Sequence, residues 1–433
     1  MKKIIAIFSI FAILTVFSAC TDVPPKQSES SIPSYNTSST VSANNSSIPK
    51  RQTKTVVLSK TVSADKKIKS VSLKGNVSNT AADFAVKLFQ SLYNDEQNVI
   101  ISPLSVLTPL AMVANGAEGE TLRQMEEVLG ADRDTLNQFI FSYLKTIKKS
   151  PLSMAQSVWV CNQFDVKESF LKTNANYYDA DIFSADISDK TVNEINKWIR
   201  DKTDGEIENA INNIHPNTVA LLINSILFDA KWQEKYSERN QREGTFYNMN
   251  GSKGEADFLY STENLYLEGD NFTGFIKPYS DERFAFMALL PNSNSSLKAL
   301  IESLDGQKFA SIMNAAEHTK VSTSLPEFEI EFKEELSKTL IKMGIEDAFS
   351  DTKADLSSLA PNTYISSAIH SAKIEVDADG TKAAATTIVA TNRKSASSVP
   401  QRAVYLNRPF VYAIIDTEAD IPAFIGTVTS LGD

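Results

Sequence analysis

The stretch Val376–Phe410 reads VDADGTKAAATTIVATNRKSASSVPQRAVYLNRPF. Between Lys382 and Ile388 it carries no charge and no large side chain. The basic doublet Arg393-Lys394 follows, then Ser395, small residues, Pro400 and a compact apolar finish from Val404 to Phe410. Such a run is poor material for a core. It also lacks the Gly/Ser composition of a flexible linker and the charge of a disordered tail. Taken as a strand, its side chains alternate between two faces. One face holds Thr381, Ala383, Ala385, Thr387, Val389 and Thr391, all small or β-branched; the other starts at Lys382 and continues through Ala384, Thr386 and Ile388. The first face can slide beneath a covering layer, and the second suits solvent. Gly380 stands where a hinge is wanted, because glycine reaches unusual backbone angles at low cost. The doublet suits a trypsin-like protease, whose specificity pocket carries an acidic side chain. Two readings stay open on this stretch alone. It is a segment that is a loop in one state and a buried strand in another, or it is an Ala/Thr-rich surface loop with a chance basic pair.

The rest of the chain bounds the answer. It has 433 residues, 42% of them apolar, and a net charge of −10, which argues against nucleic-acid binding. Two cysteines, Cys20 and Cys161, and three histidines, His215, His318 and His370, lie too far apart in sequence for a metal cluster of the usual spacing. Lys2 and Lys3 precede an apolar run, Ile4–Phe17, that ends in Ser18-Ala19-Cys20. This is the form of a secretory signal, too short to span a bilayer. The cysteine after a small pair resembles the lipobox of bacterial lipoproteins, although Phe17 stands where Leu is usual. It implies lipidation at Cys20 and an anchor on the outer face of a bacterial membrane; an ordinary cleaved signal would give a secreted protein. Cys161, left without a disulfide partner, reads as a small buried apolar residue.

Residues 21–79 are rich in Ser, Thr, Asn, Pro and Lys and read as a disordered tether, with residues 80–433 as one folded domain. The basic residues from Lys50 to Lys74 face a single acid, Asp65, and suit either an anionic surface or a solvated linker. Helical spacing predicts a helix opening at Thr80 with Asp83 as a capping box. Ser102 and Pro103 read as the cap and first turn of another, in which Pro109 predicts a kink or restart. Thr121 and Gln124 predict a further capping box, with Gly130 as the stop. Ala155–Cys161, Thr218–Phe228, Phe284–Leu290, Tyr364–Val376, Phe410–Ile415 and Pro422–Val428 read as strands; Val192–Lys202 and Lys333–Met343 read as helices, the latter stopped by Gly344. This is a mixed α+β chain without internal repeats.

Seven segments, in order, then carry a resemblance: Asn98–Ser105 (NVIISPLS), Asn115–Leu129 (NGAEGETLRQMEEVL), Asn196–Ile207 (NKWIRDKTDGEI), Leu222–Trp232 (LINSILFDAKW), Ser367–Gly380 (SAIHSAKIEVDADG), Asn407–Phe410 (NRPF) and Phe424–Val428 (FIGTV). Together they resemble the serpins from about Thr80 to Leu431. The resemblance implies three β-sheets with surrounding helices and an exposed reactive centre loop, here about residues 378–403. A protease cuts that loop, which then inserts as a new strand of the main sheet and carries the covalently attached protease with it. It implies a hinge at Gly380, Thr381, Ala383, Ala384 and Ala385, and a reactive bond at Lys394-Ser395, with Arg393-Lys394 as runner-up. Ser102, Ser105, Asn224 and His370 match the hydrogen-bonded shutter beneath the sheet, and Trp232 matches the breach where the loop enters. Two departures stand out. The acid usually found two places before the hinge glycine is Ala378, which loosens a contact at the top of the sheet, and the segment from Ser395 to Asn407 is longer than in many relatives.

No enzyme motif appears: no G-x-S-x-G elbow, phosphate loop, H-E-x-x-H or C-x-x-C. The expectation is therefore a monomeric, cofactor-free suicide-substrate inhibitor of trypsin-like serine proteases. The alternative is a non-inhibitory surface binding protein of the same fold. Against it, the hinge carries small residues and only one charge, Lys382, on the outward face.

Overall fold

The computed structural model describes residues 54–62, 68–186, 188–203, 205, 211–214, 220–381 and 402–432. The amino-terminal half contains β1 (Val56–Val57), α1 (Asn76–Leu92), β2 (Val99–Ile101), α2 (Pro103–Ala114), α3 (Gly119–Leu129), α4 (Arg133–Ile147), β3 (Leu152–Cys161), α5 (Glu168–Tyr178), β4 (Asp181–Ala185) and α6 (Asp189–Lys202). The middle contributes β5 (Ala220–Phe228), β6 (Ala230–Lys231), β7 (Gln241–Tyr247), β8 (Lys253–Glu268), β9 (Phe272–Pro278), β10 (Phe284–Pro291), α7 (Leu297–Glu302) and α8 (Gly306–Asn314). The chain closes with β11 (Glu317–Pro326), β12 (Phe328–Glu335), α9 (Ser337–Met343), β13 (Ser367–Val376), β14 (Gly380–Thr381), β15 (Arg402–Tyr405), β16 (Phe410–Asp416) and β17 (Ile421–Val428).

These strands form two hydrogen-bonded networks. The first runs β1-β4-β3-β5-β13-β14-β6, with β12 on the far side of β13. The second runs β15-β11-β8-β9-β10-β16-β17-β2, with β7 on β8. Three sheets were expected. Among the described residues two of them are continuous, because the 16-residue β8 pairs with β7 and β11 along one part and with β9 along the other. The apolar run of β10 is buried at every position, flanked by β9 on one side and β16 on the other, as expected for a strand with no solvent face. Helix α2 is buried at all of its positions and packs on β3 and β5 of one network and β17 of the other. It runs unbroken through Pro109, so the helix does not restart there. A second core lies under α6, where Val192, Ile195, Trp198 and Ile199 meet Trp159, Phe183, Leu221 and Ile223 of the first sheet.

Several boundaries differ from the sequence reading. Helix α1 begins at Asn76, and its capping box is made by Ser78 around Gly75 (φ 127°). Thr80 lies inside the helix, its hydroxyl donating to Asn76 O. The folded part also reaches back into the supposed tether: Val56 and Val57 pair with Ser184 and Phe183, and the Ile182 amide donates to Ser59 Oγ. Thr121 and Gln124 form no capping box. Thr121 Oγ1 accepts from the Asp355 amide, and Gln124 Oε1 accepts from the amides of Glu346 and Asp347, so tertiary partners take both groups. The helix read over Lys333–Met343 starts only at Ser337. Lys333, Glu334 and Glu335 finish β12, whose Phe328, Ile330 and Phe332 face the core at period two while β13 supplies the backbone partners. Gly130 (φ 79°) and Gly344 (φ 121°) do end their helices. Cys161 is a free, buried thiol.

Candidate functional site

The carboxyl end of β13 turns back through Asp377, Ala378 and Asp379. Asp377 Oδ1 accepts from the amides of Asp379 (2.8 Å) and Gly380 (2.9 Å), and the Asp377 amide donates to Gly380 O (3.1 Å). This local turn delivers β14 into the sheet. Thr381 pairs with Val376 on one side and Ala230 on the other, and Gly380 pairs with Lys231. The glycine is demanded by close approach: a Cβ here would lie 2.1 Å from Ala230 O. Thr381 is 1% exposed, and its hydroxyl is 2.5 Å from that of Tyr279. The first two hinge residues are thus already sheet residues in the uncut chain.

Aromatic side chains hold this end of the sheet. Trp232 stacks on Tyr279 with ring centres 4.6 Å apart. Its indole donates to Asp377 O at 2.8 Å and its amide to Asp379 O at 3.0 Å, while the Tyr236 amide donates to Ala378 O at 3.2 Å. Beneath the rings, Lys277 Nζ lies 4.4 Å from the Tyr236 ring centre and 2.8 Å from Glu263 Oε1; the two side chains are 3% and 8% exposed. Such a pair is tolerable in low dielectric only because each charge keeps its partner. Burial drives the phenols of Tyr279 and Tyr236 well above their usual pKa, so both stay neutral. Trp232, assigned to the breach, thus packs against the turn that leads into Gly380 and Thr381. Ala378 supplies no carboxylate here; one residue later, Asp379 Oδ1 lies 2.6 Å from Lys235 Nζ.

Further down, α2 and β13 bring together Ser102, Ser105 and His370, three of the residues assigned to the shutter. His370 Nε2 accepts from the Ser102 amide (3.3 Å), and Nδ1 is 3.1 Å from Ser105 Oγ. Because an amide can only donate, Nε2 carries no proton and the ring's hydrogen sits on Nδ1, directed at Ser105. The Ser105 hydroxyl in turn donates to Ser102 O at 2.8 Å. Burial lowers the His370 pKa from 6.5 to about 4. Ser102 caps α2 by position, not by its side chain. Asn224, also assigned to this network, is not hydrogen-bonded within it: both its amide atoms, Ser102 Oγ and Gln156 Nε2 are buried without a partner among the described residues.

Between hinge and shutter lies a seam. Strands β5 and β13 run parallel, but their pairing covers Ser367–Ile369 against Leu221–Ile223 and, among the described residues, goes no further. Two small cavities flank the seam. One of about 10 Å³ is lined by Phe228, Ile374, Thr381 and Phe424, and one of about 20 Å³ by Ser105, Leu222, Asn224 and Ala368. Each is about large enough for one water molecule. Among the described residues no group of His, Cys, Asp or Glu is arranged to hold a metal. Cys20, Lys382, Ala383, Ala384, Ala385, Arg393, Lys394 and Ser395 lie outside the described residues. Sequence reasoning missed Tyr279, Lys235 and the Lys277–Glu263 pair. Only Lys235, three residues after the entry tryptophan, carried a readable signal.

Residues 79–431 match the family model Serpin (serine protease inhibitor). A curated relative, the Serine protease inhibitor of Cyanea capillata, is 31% identical over 81% of this chain and 97% of its own length. Antithrombin-III of Homo sapiens is 29% identical over 80% of each. Among solved structures, the thermophilic serpin tengpin in its native state is 40% identical, with a TM-score of 0.81 over 87% of this chain and 100% of that one; its latent state gives 0.74. The chain belongs to the serpin family.

Proposed function

We propose that this protein is a suicide-substrate inhibitor of trypsin-like serine proteases. The observation that carries the reading is Gly380 and Thr381 seated between β13 and β6, at the head of a seam where β5 and β13 pair, among the described residues, over only three residues a side. Extended in the register that Thr381 sets with Val376 and Ala230, a cleaved loop would place Ala383 between Ile374 and Phe228, beside the first cavity. Ala385 would fall between Ala372 and Ile226, Thr387 between His370 and Asn224, and Val389 between Ala368 and Leu222, beside the second cavity. The small inward face of the loop fits both.

The chemistry is ordinary acyl transfer, interrupted. The protease's serine oxygen bonds to the Lys394 carbonyl carbon, its proton passes to the leaving nitrogen of Ser395, and the peptide bond breaks. The ester to Lys394 remains while the new strand zips in. Each inserted backbone bond contributes on the order of 1 kcal/mol net, so about a dozen rival a whole domain's stability of roughly 5–15 kcal/mol. That drive is strand addition from within the chain. Secretion with lipidation at Cys20 would hold the inhibitor at an outer membrane surface, where mass spectrometry of the amino-terminal peptide would detect the acyl groups.

Incubation with trypsin tests the reading. It should yield an SDS-resistant complex and a carboxyl-terminal fragment beginning at Ser395, and loop-nicked protein should melt higher than intact protein. Complete cleavage without complex, or no rise in melting temperature, would instead favour the non-inhibitory binding protein.

A further inference from the structure

The turn that seats the hinge is gripped at three points by one segment. The amides of Trp232 and Tyr236 donate to the carbonyls of Asp379 and Ala378, and between them Lys235 Nζ reaches Asp379 Oδ1 at 2.6 Å. The two charged side chains are 25% and 36% exposed. The segment is continuous with β5 and β6, on one side of the seam; the turn is continuous with β13, on the other. The ion pair therefore ties the two sides together across the hinge.

Its surroundings make the cation matter. The Ala378 amide donates to Glu327 Oε1 at 3.1 Å, and burial together with the carboxylates of Asp257, Asp377 and Glu375 raises the Glu327 pKa. Asp377 and Asp379 lie in the turn itself. Negative charge thus crowds the turn, and Lys235 is bonded to it. Glu329, on the neighbouring strand, is paired with Lys373.

We propose that Lys235 is a positioning residue for loop insertion. Through Asp379 it keeps Gly380 and Thr381 in the sheet, so that strand addition starts from a nucleus already formed. This rests on the insertion reading above. The physical reason is that the first residues of a new strand lose conformational freedom before later pairs stabilise them. A hinge seated in advance has met that cost, and after cleavage insertion outruns hydrolysis of the ester. With the pair broken, the hinge leaves the sheet more often, and more molecules end as cut substrate.

The test is Lys235→Met, which keeps the methylene stem, with hydrogen exchange at the Trp232 and Tyr236 amides as the structural readout. Exchange should quicken by about fivefold, the weight of one half-buried ion pair. The number of inhibitor molecules consumed per trypsin trapped should rise in parallel. Lys235→Arg should restore both readouts, as should the reversed pair Lys235→Glu with Asp379→Lys. Raised salt should quicken exchange in the wild type by screening the pair. If Lys235→Met melts far below the wild type, Asp379→Asn is read in its place by the same two measurements. Unchanged exchange in the variant, or no recovery in the reversed pair, overturns the proposal. A wild type that traps no protease sinks the inhibitory reading instead, and the exchange arm still decides whether Lys235 holds the hinge.

Discussion

Acid should loosen the shutter through His370. Its imidazole accepts the Ser102 amide proton at Nε2 and is fully enclosed, so the charged form has neither water nor a counter-ion. Its pKa falls from 6.5 to about 4 on folding. A base with a depressed folded pKa contributes stability that is present above the unfolded value and is lost as pH falls between the two. With those limits the loss is about 2 kcal/mol by pH 5, and about 3 kcal/mol once pH reaches the folded value. Protonated Nε2 would also confront the Ser102 N–H with a second donor. The assay is the midpoint of the first urea transition at pH 7.5 and pH 5, for wild type and for His370→Asn. Asp281 and Glu327, whose pKa values burial raises, act in the opposite direction, but they are present in both proteins and cancel in the difference. The wild type should lose about 2 kcal/mol more than the variant across that interval. A difference below roughly 0.5 kcal/mol would show that His370 does not report on sheet closure and would refute the reasoning.

Three further outcomes are expected. Gly380→Ala puts a Cβ against Ala230 O, an overpacking of roughly 1–3 kcal/mol that the hinge relieves by leaving the sheet; a shift in tryptophan emission and a higher inhibitor-to-protease ratio check it. Lys394→Glu should slow complex formation with trypsin by on the order of a hundredfold or more, because the acidic specificity pocket repels it; an unchanged rate moves the reactive bond elsewhere. Lys277→Met strands the Glu263 carboxylate under the entry aromatics and should cost about 3–5 kcal/mol in urea, most of it recovered by adding Glu263→Gln; equal losses in the single and double variants would deny the pair its coupling.

The family was legible because it is written as local patterns. An Ala/Thr face of period two, a hinge glycine, the NVIISPLS cap and the histidine of β13 each occupy a few consecutive residues, and spacing alone brings them forward. What stayed hidden is long-range. Nothing near Thr121 or Gln124 says that Asp355 and Glu346 will claim their side chains before a capping box can form. The charged tail of β12 reads as a helix because Lys333–Glu335 are good helix formers. The strand wins since β13 pairs with it along its whole length and the alternate apolar residues Phe328, Ile330 and Phe332 need one buried face. Tyr279 is an ordinary residue after a proline until the fold stacks it under Trp232 and against Thr381.

The groups that the proposed insertion would serve can be located. Above the seam, Thr381 is fully satisfied: paired on both sides, its hydroxyl bonded to Tyr279. Below it, the closed pairing of β5 and β13 leaves the Asn224 amide, Ser102 Oγ and Gln156 Nε2 buried without a protein partner among the described residues. Each such group costs roughly 1–3 kcal/mol when left unpaired. The loop is apolar where the seam is apolar, at Ala383 and Ala385, and supplies a hydroxyl, Thr387, at the position whose neighbours in register are Asn224 and His370. Insertion as proposed would exchange a three-residue pairing with unpaired polar groups beside it for a continuous strand with a donor and acceptor at the polar level. In the proposed mechanism the loop is joined in sequence to β14 at one end and β15 at the other until it is cut. Cleavage releases one tie. On the proposed reading, the cut loop would extend the strand that Thr381 begins, with Ala383, Ala385, Thr387 and Val389 in register with β13 and β5.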